Sequence, residues 1–275
     1  MRSAGSEAEI PELLYHYTSV ETFLKILKRR RVLFDRLDLV LDLTEGRSSD
    51  LGRLGLYQFV SCWTECADES LRLWAFYPSG MSGVRIGLPS DMLETHEQVS
   101  HRFRGLHIEP GLRHVLPLDD RIRDDFLVAP LPREFPHQMI YTDDEELLTP
   151  KVAEQPDTIE FGKLGVHKAS DWAFEQEWRF RLFVMPHPIP LDGDFTNPRF
   201  AETVGQRVWE IFNSRRVPDT HLFCSLRGVA FARMTLLLGP CVSAEARQTI
   251  EQAVEEWNPT CGLSASWYTG QIRCN

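Results

Sequence analysis

Glu175 and Glu177 stand two apart in FEQEWRFRLFV (residues 174–184), at the mouth of a run that alternates large apolar residues with Arg179 and Arg181. In a strand, residues i and i+2 share a face. A chain extended from Glu175 onward therefore lines up Glu175, Glu177, Arg179 and Arg181 opposite Trp178, Phe180 and Leu182. A cross-strand ion ladder would use that row structurally, at about 0–1 kcal/mol per exposed pair. Two carboxylates on one face repel each other, however, and a structural strand gains nothing from that. The neighbouring arginines would hold Glu177 ionised, which suits a carboxylate that steadies developing positive charge.

Two further groups could complete such a site. His16 ends an apolar stretch, LLYHY, immediately before a helix signal, and a helix N-terminus presents free N–H groups to an anion. A histidine there can equally be structural. Trp63, Trp74 and Tyr77 surround a second strand and helix, and Leu71, Trp74 and Tyr77 recur at a spacing of three, so that Trp74 and Tyr77 can share a helix side. Aromatics so placed either fill a core or form a slot for a flat heteroaromatic ring.

Other chemistries find no support. There is no G-x-G-x-x-G, no P-loop and no G-x-S-x-G elbow; GMSG at 80–83 is one residue short of the last. His96, His101, His107 and His114 miss the i,i+4 spacing of a helical zinc pair and read as solvated surface histidines. Cys62 and Cys66 lack a second ligand pair and read as buried or half-buried thiols, so no metal is expected. KRRR at 28–31 is read as the positive end of a helix rather than a phosphate site.

The elements that must position these residues follow from periodicity. LLYHY is a strand; Thr18 and Glu21 form a capping box for a helix carrying Val20, Phe23, Leu24 and Leu27 on one side. An irregular acidic loop spans 35–50, then LYQFVSCW is a strand and DESLRLWAFY a short helix capped by Asp68. VRIGL is a strand, residues 91–115 begin as helix and weaken, and 116–160 form a long surface excursion. QMIYT, EWRFRLFV, MTLLLG and LSASWYT are strands, and Ser243 caps a late helix with Ile250, Ala253, Val254 and Trp257 on one face. Many strands and few helices without a βαβ rhythm predict an α+β fold with a largely antiparallel sheet. Residues 1–11 are expected to be disordered, with one domain over 12–270.

With 275 residues, 43% hydrophobic and 25% charged, the chain can bury a full core. It lacks an apolar run of the ~20 residues a membrane helix needs, and MRSAGSEAEIPE has no signal-peptide core. Six scattered cysteines are expected as reduced thiols in the cytoplasm, and the net charge of −10 argues against broad nucleic-acid affinity.

YHYTSVETFLKILKRRRVLF, FVSCWTECADESLRLWAFY, GVRIGL, KASDWAFEQEWRF and LLLGPCVS occur in that order. Together, over Leu13 to Ser243, they resemble a bacterial family of domains of unknown function related in pattern to the ADP-ribosyltransferases; YHYTS and EQEWR are the most specific pieces. One departure is Asp42-Leu43-Thr44, where an Asn-Asp-Pro-like loop is expected. The resemblance implies an ADP-ribosyltransferase-like split sheet, with flanking helices, holding NAD as substrate in a central cleft. It places His16, Tyr17 and Thr18 against the ribose and nicotinamide amide, and Trp63, Trp74 and Tyr77 at the nicotinamide, with Trp63 and Tyr77 sandwiching the ring. Glu177 takes the catalytic role and Glu175 engages the acceptor.

The implied activity is transfer of ADP-ribose with release of nicotinamide, as in a toxin or defence effector, to an acceptor that is protein, nucleic acid or small molecule. An antidote or regulatory partner is compatible with that role, and no membrane is implied. Two alternatives remain open: an NAD glycohydrolase, with water as acceptor and Glu175 idle, and an inactive binding or regulatory module on the same fold.

Overall fold

The first strand, β1 (Leu13–Thr18), buries Leu14, Tyr17 and Thr18 and turns directly into α1 (Val20–Arg29). The computed structural model describes residues 9–186, Glu210 and 221–274, apart from 78, 99–100, 104–105, 109–110, 124–125, 133–134 and 156–157. The cap of α1 is Ser19, whose Oγ accepts from Thr22 N–H at 3.1 Å; Thr18 still belongs to the strand, one residue earlier than a cap must stand. Glu21 pairs instead with Lys25, one helical turn on. Arg30, at φ 51°, ends the helix, and two of the KRRR side chains lie on aromatic faces, Lys28 over Trp257 and Arg30 over Phe231.

From Arg31 the chain forms β2 (Arg31–Arg36), which the sequence reading missed, and then a loop carrying the Asp42–Glu45 segment. β3 (Gln58–Thr64) and α2 (Leu71–Phe76) follow; Ser70, not Asp68, caps α2 by accepting from Leu73 N–H. β4 (Val84–Pro89) comes next. Residues expected to start helical after 91 instead contain short strand pairs, Arg113–His114 against His96–Glu97 and His101–Phe103 against Leu106–Ile108.

The expected surface excursion is interior at its start. Val115, Leu116, Phe126, Leu127 and Val128 are buried, and β5 (Phe126–Val128) joins the main sheet. β6 (His137–Gln138) adds to it, while β7 (Ile140–Thr142) pairs in parallel with β8 (His167–Ala169). β9 (Glu177–Pro186), β10 (His221–Ser225), β11 (Thr235–Leu238), α3 (Ala244–Trp257) and β12 (Gly262–Ala265) complete the fold.

The main sheet has ten strands, with the central order β5-β9-β3-β1-β4-β11-β12; β6 adds to β9, and β10 pairs with β2, which in turn meets β3. All its pairings are antiparallel except β11 with β12, so the protein is α+β with a mostly antiparallel sheet. Along β9, Trp178, Phe180, Leu182 and Val184 enter the main core beside Phe23, Ile26 and Leu27 of α1 and Ile250, Ala253 and Val254 of α3. Burying each such large side chain stabilises by about 1.5–3 kcal/mol. The alternate residues Glu177, Arg179 and Arg181 are also buried, so this row is not an exposed ion ladder.

Two expectations change at the edges of the fold. Cys241 and Cys274 form a disulfide, so not every thiol is reduced. His114 is buried rather than solvated. Of the expected disordered segment, residues 1–8 lie outside the described residues, and Glu9 and Ile10 are exposed. Among the described residues, no helix is long and apolar enough to cross a membrane.

Candidate functional site

β1 and β2 both run along the same edge of β3, one at each end: Tyr15 pairs with Thr64, while Asp35 and Arg36 pair with Val60 and Phe59. Continued in register, His16 to Thr18 would face Trp63 to Ser61. Instead the strands part, and the gap opens into a cleft. Its smaller compartment, about 360 Å³, is lined by His16, Trp63, Tyr77, Glu175 and Glu177 among others. A larger one, about 1070 Å³, shares His16, Tyr17, Cys62, Trp63, Tyr77 and Glu177 with it and adds Thr18, Lys168 and Arg179.

The His16 ring replaces a missing strand hydrogen bond: Nδ1 lies 2.8 Å from the Cys62 carbonyl. That oxygen can only accept, so Nδ1 carries the proton and Nε2 is left as the acceptor. Burial lowers the imidazole's pKa and keeps it neutral. Its ring sits 5.2 Å from that of Trp63, whose indole N–H donates to Ser61 Oγ at 3.0 Å. Tyr77, just past the end of α2, lines both compartments and donates its hydroxyl proton to Glu175.

Trp74 is different. It is fully buried, packs edge-on to Tyr17 at 4.7 Å, and donates its N–H to Glu69, so it belongs to a core cluster and not to the cleft lining. Tyr17 belongs to the same cluster and touches the cleft, while its hydroxyl accepts from Ser70 N–H.

Glu175 does not extend the β9 row. It ends a 3₁₀ turn (Ser170–Glu175), and Gln176 at φ 44° reverses the chain before β9 begins. The two carboxylates meet nonetheless, because Lys168 Nζ lies between them, 2.5 Å from Glu175 Oε2 and 3.3 Å from Glu177 Oε2. Arg179 grips Glu177 with a fork, Nε to Oε1 at 2.7 Å and Nη2 to Oε2 at 2.9 Å. Its Nη1 donates to Glu45 Oε2 at 2.5 Å, and Glu45 Oε1 also lies 3.5 Å from Lys168 Nζ. Three acids and two bases thus form one network, each of the five buried.

This environment drives the two glutamates apart. Burial works to raise the pKa of Glu177, but Arg179 and then Lys168 outweigh it, so the group is held ionised, well below the usual carboxylate range. Burial pushes Glu175 up to about 7, opposed by Lys168 and reinforced by the charge of Glu177. Burial also raises the Cys62 thiol, with the Glu177 charge second, so it is no thiolate nucleophile.

Sequence reasoning found Glu175, Glu177, His16, Trp63 and Tyr77, which do line one cleft. It missed Lys168, Glu45 and Tyr141, whose hydroxyl accepts from Glu177 N–H at 2.8 Å. Glu45 follows the Asp42–Thr44 turn, in which Asp42 Oδ1 accepts from Thr44 N–H, and precedes Gly46 at φ 70°, where a Cβ would lie 2.6 Å from Gly55 Cα. The unusual loop was a signal; its buried acid was not readable from it.

Among the described residues, no group of three or more His, Cys, Asp and Glu side chains is arranged to hold a metal ion. Compared with protein-family models, characterised proteins and solved structures, the chain finds no match.

Proposed function

We propose that the protein is an NAD-dependent ADP-ribosyltransferase that passes ADP-ribose to an acceptor and releases nicotinamide, in the manner of a bacterial toxin or defence effector. The observation that carries this reading is the ionised Glu177 in a cleft opened between parted strands, with His16, Trp63 and Tyr77 around it. A parted antiparallel sheet is what the resemblance implies for an ADP-ribosyltransferase-like fold, and the flat rings around the gap suit a nicotinamide.

Cleavage of the nicotinamide–ribose bond builds positive charge on the ribose, as in glycoside hydrolysis. A fixed carboxylate beside the sugar stabilises that charge as it develops. The Glu177 oxygens accept three bonds, two from Arg179 and one from Lys168, with the Cys62 thiol alongside. A carboxylate has about four acceptor positions and a thiol is a weak donor. A substrate hydroxyl can therefore displace the thiol contact without breaking the arginine fork.

The test is nicotinamide release and label transfer from adenine-labelled NAD, with and without cell lysate. Glu177→Gln should lower the rate at least ~10²-fold, with a thermal melt showing that the variant is folded. Label that resists removal from macromolecules marks transfer, and its sensitivity to protease or nuclease identifies the acceptor class.

A second reading has an observation of its own. The Arg179 fork already occupies Glu177, as an inactive binding module would have it. That reading expects no NAD turnover by folded protein in any lysate.

A further inference from the structure

Lys168 is the member of the buried network that lies against all three of its carboxylates. It projects from β8, which is held to β7 by the parallel pairing of Tyr141 with Lys168. Its ammonium has three protons to donate, and three carboxylate oxygens surround it: Glu175 Oε2 at 2.5 Å, Glu177 Oε2 at 3.3 Å and Glu45 Oε1 at 3.5 Å. The indole of Trp172 stacks over it at 4.6 Å. The ammonium is buried, and its carboxylate neighbours raise its pKa against the effect of burial, so it stays charged.

We propose that Lys168 fills the cation position of the acidic pair, so that the acceptor attacking in this cleft is a neutral O–H nucleophile, water or a hydroxyl group, and not a guanidinium. The inference rests on the transferase reading above. A cationic acceptor seeks carboxylates that lack a counter-charge. Here Glu177 is taken by Arg179 and Lys168, and Glu175 by Lys168 and the Tyr77 hydroxyl. Displacing Lys168 to admit a second cation would strand a buried ammonium without its partners.

A neutral hydroxyl needs something else, a base, and Glu175 is suited to it. It lines the smaller compartment, and burial raises its carboxyl to about 7, where the ionised form is abundant at neutral pH and still accepts a proton readily. Lys168 keeps that value from rising further, and Glu177 opposes it. The other groups around Glu175 are Tyr77, which stays a hydrogen-bond donor because burial raises its pKa, and Tyr141, raised for the same reason. Arg179 and Glu45 bear on it through Lys168.

In the step, the acceptor oxygen bonds to ribose C1′ as its proton passes to Glu175. The C1′–N bond breaks with its electron pair going to the pyridinium nitrogen, and neutral nicotinamide leaves. Glu175 then returns the proton to solvent. NAD⁺ and R–OH thus give the O-linked ADP-ribosyl product, nicotinamide and one proton.

The experiment uses the full chain, adenine-labelled NAD, and two small probes: methanol as a neutral hydroxyl and agmatine as a guanidinium. Wild type should form ADP-ribose and methyl ADP-ribose, in a ratio set by methanol concentration, and leave agmatine unlabelled. If lysate is added, label on a macromolecule separates a macromolecular hydroxyl from water as the natural source. Lys168→Met removes the ammonium and keeps the stem. It should bring label onto agmatine to at least about ten times the detection limit at which wild type shows none and move the acid limb of the pH–rate profile to higher pH, whereas Lys168→Arg should do neither. Agmatine labelled by wild type, with nicotinamide released, overturns this inference alone. Turnover in Lys168→Met without any gain on agmatine or shift in pH profile overturns the role of Lys168. Absence of nicotinamide release by folded wild type overturns the inference together with the transferase reading. If Lys168→Met does not fold, the two wild-type probes still decide the acceptor class.

Discussion

At the scale of single residues, Glu175 and Glu177 impose opposite pH dependences on the same few ångströms. Glu177 is depressed below its ordinary value, so its contribution to stability is present above that value and is lost as the pH falls through the folded pKa. Glu175 is raised from 4.5 to about 7, so its contribution is complete below 4.5 and is lost as the pH rises through about 7. The wild-type protein therefore holds a carboxylate that stability would prefer protonated, in the pH range where a base is useful. Glu175→Gln, which keeps the shape and removes the titration, is expected to abolish the loss of stability between pH 4.5 and 7. Urea unfolding at a series of pH values reads this directly. A wild-type slope that the substitution leaves unchanged would mean that Glu175 does not titrate in this window. Arg179 supports the first effect, since its fork fixes Glu177 while its other amino group holds Glu45, and a lysine could not make the two-pronged contact.

At the scale of elements, short strands rely on side chains that tie them to neighbours, and His114 is such a tie. Its Nδ1 accepts from Leu116 N–H at 3.0 Å, so Nε2 carries the proton and donates to the Ala129 carbonyl at 3.1 Å. The ring joins the Arg113–His114 strand to the segment that leads out of β5. Burial, with Arg121 second, lowers its pKa from 6.5 to about 4. A folded-state value below the unfolded one means stability falls as the pH drops from 6.5 toward 4, by up to about 3 kcal/mol. His114→Gln should lose that acid sensitivity, seen as a melting temperature that changes less than the wild type's over this range. The same region shows why part of the fold was hidden in the sequence. β1, β3, β9 and α3 were legible because each carries several apolar residues at a steady period. β5 is three residues long and lies among prolines and charges, and β2 has only Val32, Leu33 and Phe34 between arginines. Glu175 and Glu177 were found because they are neighbours in sequence. Glu45 reaches Arg179 across 134 positions, and no local pattern encodes such a contact.

At the scale of the whole molecule, the C-terminal end is fastened back onto the sheet that carries the cleft. Cys241 follows β11 and Cys274 lies beyond β12, so their bond closes a loop that contains both α3 and β12, with a sequence separation of 33. α3 contributes Ile250, Ala253 and Val254 to the main core, whereas β12 is an exposed edge strand paired only to β11 among the described residues. The edge therefore gains little from burial and depends on the covalent tie. Closing a loop of this size removes enough freedom from the unfolded chain to stabilise the fold by about 3–4 kcal/mol. Reducing agent should lower the unfolding free energy by that amount, while the Cys241→Ser, Cys274→Ser double variant should start at the lower value and be insensitive to the agent. The remaining described cysteines are free, with Cys224 and Cys261 buried in the core, so the reductant has no other disulfide among the described residues to act on. Because β11 leads through β4 and β1 to the parted edge of β3, the same comparison made on NAD turnover separates two designs. Unchanged turnover in folded, reduced protein means that the clasp serves stability alone. Lost turnover at denaturant-free equilibrium means that the geometry of the cleft depends on a sheet fastened at its far edge.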